Sequence, residues 1–195
     1  MRSTPDTLVC SITNQLPHAA AREVLLQCDH AARIDGHSIG FLPFIAWQKR
    51  HEWGDLLALH RNADLVGWCM MSKVNAYQEL RCLQIWVRPD ARMIEHGRAL
   101  IDKLNCLGFE RGAITLRLWC AEDLPANLFW NCLGFRYRGW RYGRNKTGRR
   151  HALWMRRIVA PHQTLPRLTK QPNLQLMTSR HTGPIAPVLD RLSVA

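Results

Sequence analysis

The 195-residue sequence contains no apolar run that approaches the roughly 18–20 residues needed for a transmembrane helix. Its N-terminal stretch, MRSTPDTLVCSITNQL, lacks the apolar core that a signal peptide requires. We therefore expect a soluble cytoplasmic protein that does not bind a membrane. The chain is long enough for one domain with a substantial hydrophobic core.

Cysteine pairs with CxxC spacing are also absent. The seven cysteines are odd in number, and most of them stand among apolar residues. The nine histidines are scattered and complete no tetrahedral zinc set with these cysteines. The pattern indicates free thiols in a reducing compartment and no bound metal.

Acidic residues are missing from one whole segment, residues 136–157, which is strongly basic. It contains Arg136, Arg138, Arg141, Arg144, Lys146, Arg149, Arg150, Arg156 and Arg157. The formal net charge of the chain is +12, and much of it is concentrated in this segment. Such a concentration favours anionic partners.

Apolar periodicity predicts an α/β fold. Helices are expected at 16–32, 44–53, 91–107 and 124–135, and strands at 55–61, 65–72, 79–87, 113–120, 136–144 and 149–157. After about residue 159 the chain is rich in proline and has no sustained period. We expect a domain at 1–158 and a disordered tail at 159–195.

The segment VRPDARMIEHGRALI, residues 87–101, predicts a strand that turns into a helix. The turn carries Arg92, His96, Gly97 and Arg98. A helix N-terminus presents unpaired N–H groups and the positive end of a dipole, and phosphates bind there readily. The pattern therefore predicts an anion site, although solvated arginines beside a tight helix start would give the same sequence.

This segment resembles the cofactor loop of the GNAT (GCN5-related) N-acetyltransferase superfamily. The family pattern is Arg or Gln, two residues, Gly, one residue, and Gly or Ala. Arg92 fits the first position and Gly97 the last, whereas Glu95 replaces the first glycine. The likeness extends over roughly residues 8–157.

A second segment, AEDLPANLFWNCLGF, is similar to a later helix of the same superfamily. Ala126 and the run 133–135 fit the pattern, and Trp130 occupies a position that is often Tyr. The resemblance implies a mixed, mostly antiparallel central sheet flanked by helices. It also implies an enzyme that uses acetyl-CoA as co-substrate.

The resemblance assigns the cofactor contacts by position. It implies that the loop residues Arg92, His96, Gly97 and Arg98 hold the pyrophosphate, and that a backbone N–H of Ile85, Trp86 or Val87 polarises the thioester. Glu95 then has two possible arrangements. Its side chain points outward and pairs with Arg92 or Arg98, which we favour, or it occupies the phosphate pocket.

Family chemistry requires an amine that loses a proton and a thiolate that gains one. Glu79, at the start of the central strand, is the candidate base, although a solvated strand-end carboxylate is an equal alternative. Trp130 has an N–H donor but is not a usable acid. Tyr142 is therefore the candidate acid, with Tyr137 or water as alternatives.

The basic segment mixes arginine with Tyr137, Trp140 and Tyr142, which is how proteins grip nucleic acid. We expect an N-acetyltransferase with an unidentified acceptor, and an anionic or nucleic-acid-associated amine is one option through Arg136–Arg150. Positive charge that protects an edge hairpin is an equal alternative. The alternative function is a non-catalytic module that binds nucleic acid or CoA, and a different acyl-CoA is a further option.

Overall fold

The computed structural model describes residues 10–13, 18–34, 42–62, 64–92, 95–143 and 148–161. Within these residues the α-helices are α1 (His18–Ile34), α2 (Phe44–Glu52), α3 (His96–Glu110) and α4 (Ala126–Cys132). The strands are β1 (Cys10–Thr13), β2 (Leu56–Arg61), β3 (Asp64–Met71), β4 (Glu79–Val87), β5 (Thr115–Ala121), β6 (Arg136–Tyr142) and β7 (Arg150–Arg157). A mostly antiparallel, seven-stranded sheet with helices confirms the predicted fold class.

Two compact units make up the chain. Of the described residues, one unit contains those up to Leu116 together with 158–161, and the other contains those from Arg117 to Arg157. The predicted tail lies, from residue 162 onward, outside the described residues, and the predicted boundary at 158 stays a prediction. No helix in the described part of the chain is both long and apolar enough to cross a membrane.

In the first unit, β1, β2, β3 and β4 follow one another in space, and each pairs antiparallel with the next. The register places Ala58, Trp68 and Trp86 side by side on one face of these strands. Helices α1 and α2 cover that face, and the ring of Trp47 meets Trp68 edge-on at 4.7 Å between centroids. This face therefore holds one cluster of the hydrophobic core.

Helix α3 covers the opposite face of the same strands. Leu100, Ile101 and Leu104 are fully buried there, as the apolar spacing predicts. The helix begins at His96 and not at residue 91, because Pro89–Ala91 form a separate 3₁₀ turn before it. Residues 93–94 of the predicted helix lie outside the described residues.

The second unit contains the β6–β7 hairpin, with β7 between β5 and β6. Helix α4 is shorter than predicted and is followed by Gly134, whose φ of +76° lies in the left-handed region that glycine adopts easily. The ring of Trp130 packs between Phe129 and Phe135. The predicted turn of the hairpin, apart from Gly148, lies outside the described residues.

A buried ion-pair cluster closes one end of the first unit. Asp55 is 1% exposed, and its carboxylate contacts Arg111 Nη1 at 2.7 Å and Arg50 Nη1 at 3.4 Å. Arg111 also donates to the Gly54 carbonyl, and Arg50 donates to the Met71 carbonyl. The cluster thus ties the ends of α2 and β3 and the start of β2 to the residue that follows α3.

We expect Asp55→Ala to lower the free energy of unfolding by about 3–5 kcal/mol, because it leaves two arginines around a buried site without their carboxylate. Asp123→Ala, at the exposed ion pair with Arg149, is the matched control and should cost about 0–1 kcal/mol. Urea unfolding followed by circular dichroism measures both. Equal effects of the two substitutions would contradict the structural role given to Asp55.

Candidate active site

The C-terminal end of β4 has a defined direction for each backbone N–H. Arg88 N–H donates to the Val66 carbonyl of β3 at 2.9 Å. In an antiparallel ladder, successive residues turn their N–H groups to alternate sides. Trp86 therefore directs its N–H toward β3, whereas Ile85 and Val87 direct theirs away from β3.

The side chain of Arg92 supports this assignment. Its Nε donates to the Val87 carbonyl at 2.8 Å, so this carbonyl also points away from β3. The guanidinium group is thereby held beside the edge of β4 that carries the Ile85 and Val87 N–H groups. The side of β4 that faces away from β3, where β5 is the neighbouring strand, thus combines the N–H groups of Ile85 and Val87 with the positive charge of Arg92.

A β-bulge lies just before these residues. Met70 pairs with Gln84 and Met71 with Cys82, so Leu83 has no partner on β3. The Cys82 and Cys69 Sγ atoms lie 3.7 Å apart in the core beside the bulge. The hydrogen bond to Cys82 and burial raise the pKa of Cys69 well above its usual range, which keeps this thiol protonated and unreactive.

The loop between β4 and α3 fixes its own polar groups. Arg88 Nε donates to the Asp90 carboxylate at 2.7 Å, and this hydrogen bond lowers the pKa of Asp90. His96 is 5% exposed, and its Nδ1 lies 3.1 Å from the Ala91 carbonyl. The imidazole ring therefore fastens the loop.

The N-terminus of α3 has the geometry expected of an anion site. Among the described residues, the first backbone hydrogen bond of the helix runs from Ala99 N–H to the Glu95 carbonyl at 2.9 Å. The N–H groups of Gly97 and Arg98 precede it in the first turn, where backbone N–H groups lack an acceptor within a helix. They lie at the positive end of the helix dipole.

Glu95 has the outward orientation that the sequence analysis favours. Its carboxylate is exposed and does not cap the helix, so it does not occupy the N–H groups of the first turn. Its pairing with Arg92 or Arg98 stays a prediction. Its φ of −64° suits any residue, so the backbone at this position does not require glycine.

Glu79 lies at the opposite end of β4. Its carboxylate accepts a hydrogen bond from Asn75 Nδ2 at 3.0 Å. Glu79 precedes Ile85 by six positions, which corresponds to about 20 Å of extended strand. This separation does not support direct proton abstraction by Glu79 from an amine at the Ile85 edge.

The remaining predicted catalytic side chain lies in the second unit. Tyr142 is 62% exposed and contacts the Trp140 ring edge-on at 5.1 Å. Trp130 is 4% exposed, and its indole N–H has no hydrogen-bond partner in the part of the chain that the structure describes. The role of Tyr142 as an acid stays a prediction.

The basic hairpin is less strongly charged than its sequence indicates. Arg150 pairs with Glu122 at 2.8 Å, and Arg149 pairs with Asp123 at 2.9 Å. Arg156 is buried and donates to a backbone carbonyl. Glu122 and Asp123 precede α4 in the sequence. The charges of the segment 136–157 alone therefore do not predict these ion pairs.

Two arginine side chains of the hairpin stack on tryptophan. The Arg141 guanidinium lies 4.1 Å from the Trp119 ring centroid, and the Arg150 guanidinium lies 4.3 Å from that of Trp140. Such stacks hold the arginine planes in a fixed orientation. They are the feature of the hairpin that most resembles a nucleic-acid surface.

Asn127 is an organising residue that the sequence did not reveal. Its Nδ2 donates to the carbonyls of Ala121 and Leu124, each at 2.8 Å, and its Oδ1 accepts the Trp154 indole N–H at 2.8 Å. It therefore joins the end of β5, the start of α4 and β7. In the sequence, this role is indicated only by an amide side chain two residues after Pro125, in the first turn of a helix.

These features define an α/β protein whose strand, loop and helix N-terminus have the geometry expected of an anion site, and the comparisons with known proteins identify its class. The model of the acetyltransferase (GNAT) family matches residues 19–135. This match covers more than half of the chain, so the chain belongs to the GNAT acetyltransferase family. The predicted family and the prediction of a GNAT-type N-acyltransferase are confirmed.

Solved structures share the fold at low sequence identity. Ard1 from Thermoplasma volcanium has a TM-score of 0.65 and 18% identity over 77% of this chain and 98% of its own. The ribosomal-protein-S18-alanine N-acetyltransferase from Escherichia coli has a TM-score of 0.59 and 19% identity, with 81% and 99% covered. The yncA structure from Salmonella typhimurium, solved with its cofactor acetyl-CoA, has a TM-score of 0.61 and 14% identity, with 82% and 99% covered. The comparison with curated proteins finds no significant match.

We expect Asn127→Ala to lower the free energy of unfolding by roughly 2–3 kcal/mol, because it leaves the Trp154 N–H and two carbonyls without their partner. Asn131→Ala, on the same helix, is the matched control. The side chain of Asn131 makes no hydrogen bond within the described residues, so its loss should cost less than about 0.5 kcal/mol. Thermal and urea unfolding compare the two variants, and equal losses would contradict the role of Asn127.

Proposed function

We propose that this GNAT protein transfers the acetyl group of acetyl-CoA to an amine by direct attack in a complex of enzyme and both substrates. The observation that carries the proposal is the edge of β4, where Ile85 and Val87 direct their N–H groups away from β3 beside the anchored Arg92. The adjoining N-terminus of α3 supplies further N–H donors. Together they match an acyl-CoA in charge and in hydrogen bonding.

The N–H groups of Gly97 and Arg98 would hold the pyrophosphate, because oriented backbone donors and a helix dipole favour phosphate. Arg92 adds one positive charge, and its Nε contact with Val87 orders the guanidinium before the ligand arrives. The side chain of His96 was expected to hold the pyrophosphate. We assign it instead to holding the loop in place, through its contact with the Ala91 carbonyl.

The N–H of Ile85 or Val87 would donate to the thioester oxygen. This donor is fixed by strand pairing and needs no rearrangement as charge develops on the oxygen. Of the three residues considered from the sequence, Trp86 suits this role least, because its N–H is directed toward β3. The assignment involves backbone atoms and is therefore insensitive to side-chain identity.

In the transfer step, the amine nitrogen forms a bond to the thioester carbon and the carbon–sulfur bond breaks. One proton leaves the amine nitrogen, and the departing thiolate gains one. Since Glu79 is remote from Ile85 along β4, we assign the first proton to water. The second comes from water or from Tyr142, the acid predicted from the sequence.

A second candidate function is nucleic-acid binding through the hairpin Arg136–Arg150. The arginine–tryptophan stacks of Arg141 and Arg150 favour it, and so do the exposed side chains of Arg136 and Arg138. The pairing of Arg149 and Arg150 with acids weakens it. Acetyl transfer therefore remains the main proposal. Nucleic-acid binding and the use of an anionic acceptor are secondary predictions.

We expect Arg92→Ala to raise the dissociation constant of acetyl-CoA at least about tenfold, because a charge-assisted hydrogen bond contributes roughly 1.5–3 kcal/mol. Isothermal titration calorimetry with acetyl-CoA measures the change. Arg22→Ala is the control, since Arg22 is exposed on α1 and should leave the affinity unchanged. If the wild-type protein does not bind acetyl-CoA or CoA, the proposed function is wrong.

Glu95→Gly should change the affinity for acetyl-CoA by less than about threefold. The carboxylate is already exposed and leaves the helix N–H groups uncapped, so the substitution removes only a repulsion that salt screens. Glu95→Gln, which removes the charge and keeps the side chain, should behave like Glu95→Gly. Tightening of tenfold or more in the glycine variant alone would show that the side chain obstructs the site.

A further inference from the structure

Gly67 lies directly opposite Val87 in the pairing of β3 with β4. A Cβ atom at this position would lie 2.9 Å from the Trp86 carbonyl oxygen, which is shorter than side chains tolerate. It would also lie 3.4 Å from Val87 Cγ2 and 3.5 Å from Leu100 Cδ1. Three neighbouring groups thus already occupy the space that a side chain at position 67 would need.

These neighbours stand on both sides of the cofactor loop. Trp86 and Val87 end the strand that enters the loop, and Leu100 lies in the second turn of the helix that leaves it. A side chain at position 67 would press on both at once. The separation between the end of β4 and the start of α3 therefore depends on a glycine in β3.

We propose that Gly67 is a positioning residue for the cofactor loop, a role that rests on the proposed function. It touches neither substrate. By letting α3 and the end of β4 pack closely over β3, it sets the distance between the Val87 edge and the N–H groups of Gly97 and Arg98. This distance has to match the spacing between the thioester and the pyrophosphate of one bound molecule.

The contact with the Trp86 carbonyl makes this role specific. The oxygen belongs to the backbone of a paired strand, so it cannot rotate away as a side chain can. An added methyl group must displace the strand end itself. Val87 would move with it, and the carbonyl that anchors Arg92 would move as well.

Gly108, in the last two turns of α3, provides a matched control for steric crowding. A Cβ there would lie 2.7 Å from Ile158 Cδ1 and 3.0 Å from Leu80 Cδ2, which are ends of flexible side chains. Leu80 lies near the start of β4, far along the strand from Val87. Gly108→Ala should therefore perturb packing without altering the cofactor loop.

The test compares wild type, Gly67→Ala and Gly108→Ala by calorimetric titration with CoA, at a temperature well below each variant's Tm. We expect Gly67→Ala to raise the dissociation constant of CoA on the order of tenfold and Gly108→Ala to change it less than about twofold. Equal affinities of Gly67→Ala and wild type would overturn the inference while leaving the proposed function intact. Absence of CoA binding by wild type would overturn the proposed function itself.

A second pair of variants decides the question if Gly67→Ala does not fold. Leu100→Ala removes the helix side of the same contact, and Leu104→Ala removes an equally buried leucine one turn further from the loop. We expect a loss of CoA affinity in Leu100→Ala of at least about fivefold relative to Leu104→Ala. Equal affinities in these two variants would overturn the inference.

Discussion

The backbone hydrogen bond from Arg88 N–H to the Val66 carbonyl determines how the end of β4 can be used. It sets the register of the β3–β4 pairing. The N–H group of Trp86 is therefore directed toward β3, whereas the N–H groups of Ile85 and Val87 are directed away from β3. The Val87 carbonyl, directed the same way, then accepts the side chain of Arg92. The register of β3 and β4 therefore determines both the direction of the Ile85 and Val87 N–H groups and the position of the Arg92 guanidinium.

Helix α3 gives this edge its second half, and the helix is fixed at both ends. At its C-terminal end, Arg111 reaches the buried carboxylate of Asp55, which also contacts Arg50. At its N-terminal end, His96 contacts the Ala91 carbonyl within the loop. A helix held in this way can present its first N–H groups in one place, which is the preorganisation that anion binding requires.

Local sequence was enough to predict the bounds of β4 and the presence of a helix after it, because apolar periodicity acts on neighbouring residues, but the helix begins and ends later than the predicted 91–107. Contacts between distant residues could not be read in this way. The acids that pair with Arg149 and Arg150 precede them by more than two dozen residues, and Gly67 acts through a strand pairing. The position of Glu79 was predicted correctly as the start of β4. Its distance from Ile85 depends on the extended conformation of the whole strand.

The most direct test is a nuclear magnetic resonance titration of ¹⁵N-labelled protein with CoA and with acetyl-CoA. The amide signals of Gly97 and Arg98 should shift with both ligands, since both carry the pyrophosphate. The signal of Ile85 or Val87 should shift further only with acetyl-CoA, while Trp86, paired to β3, should show the smaller change. Shifts confined to other parts of the chain, or a response of Trp86 in place of Ile85 and Val87, would contradict this account.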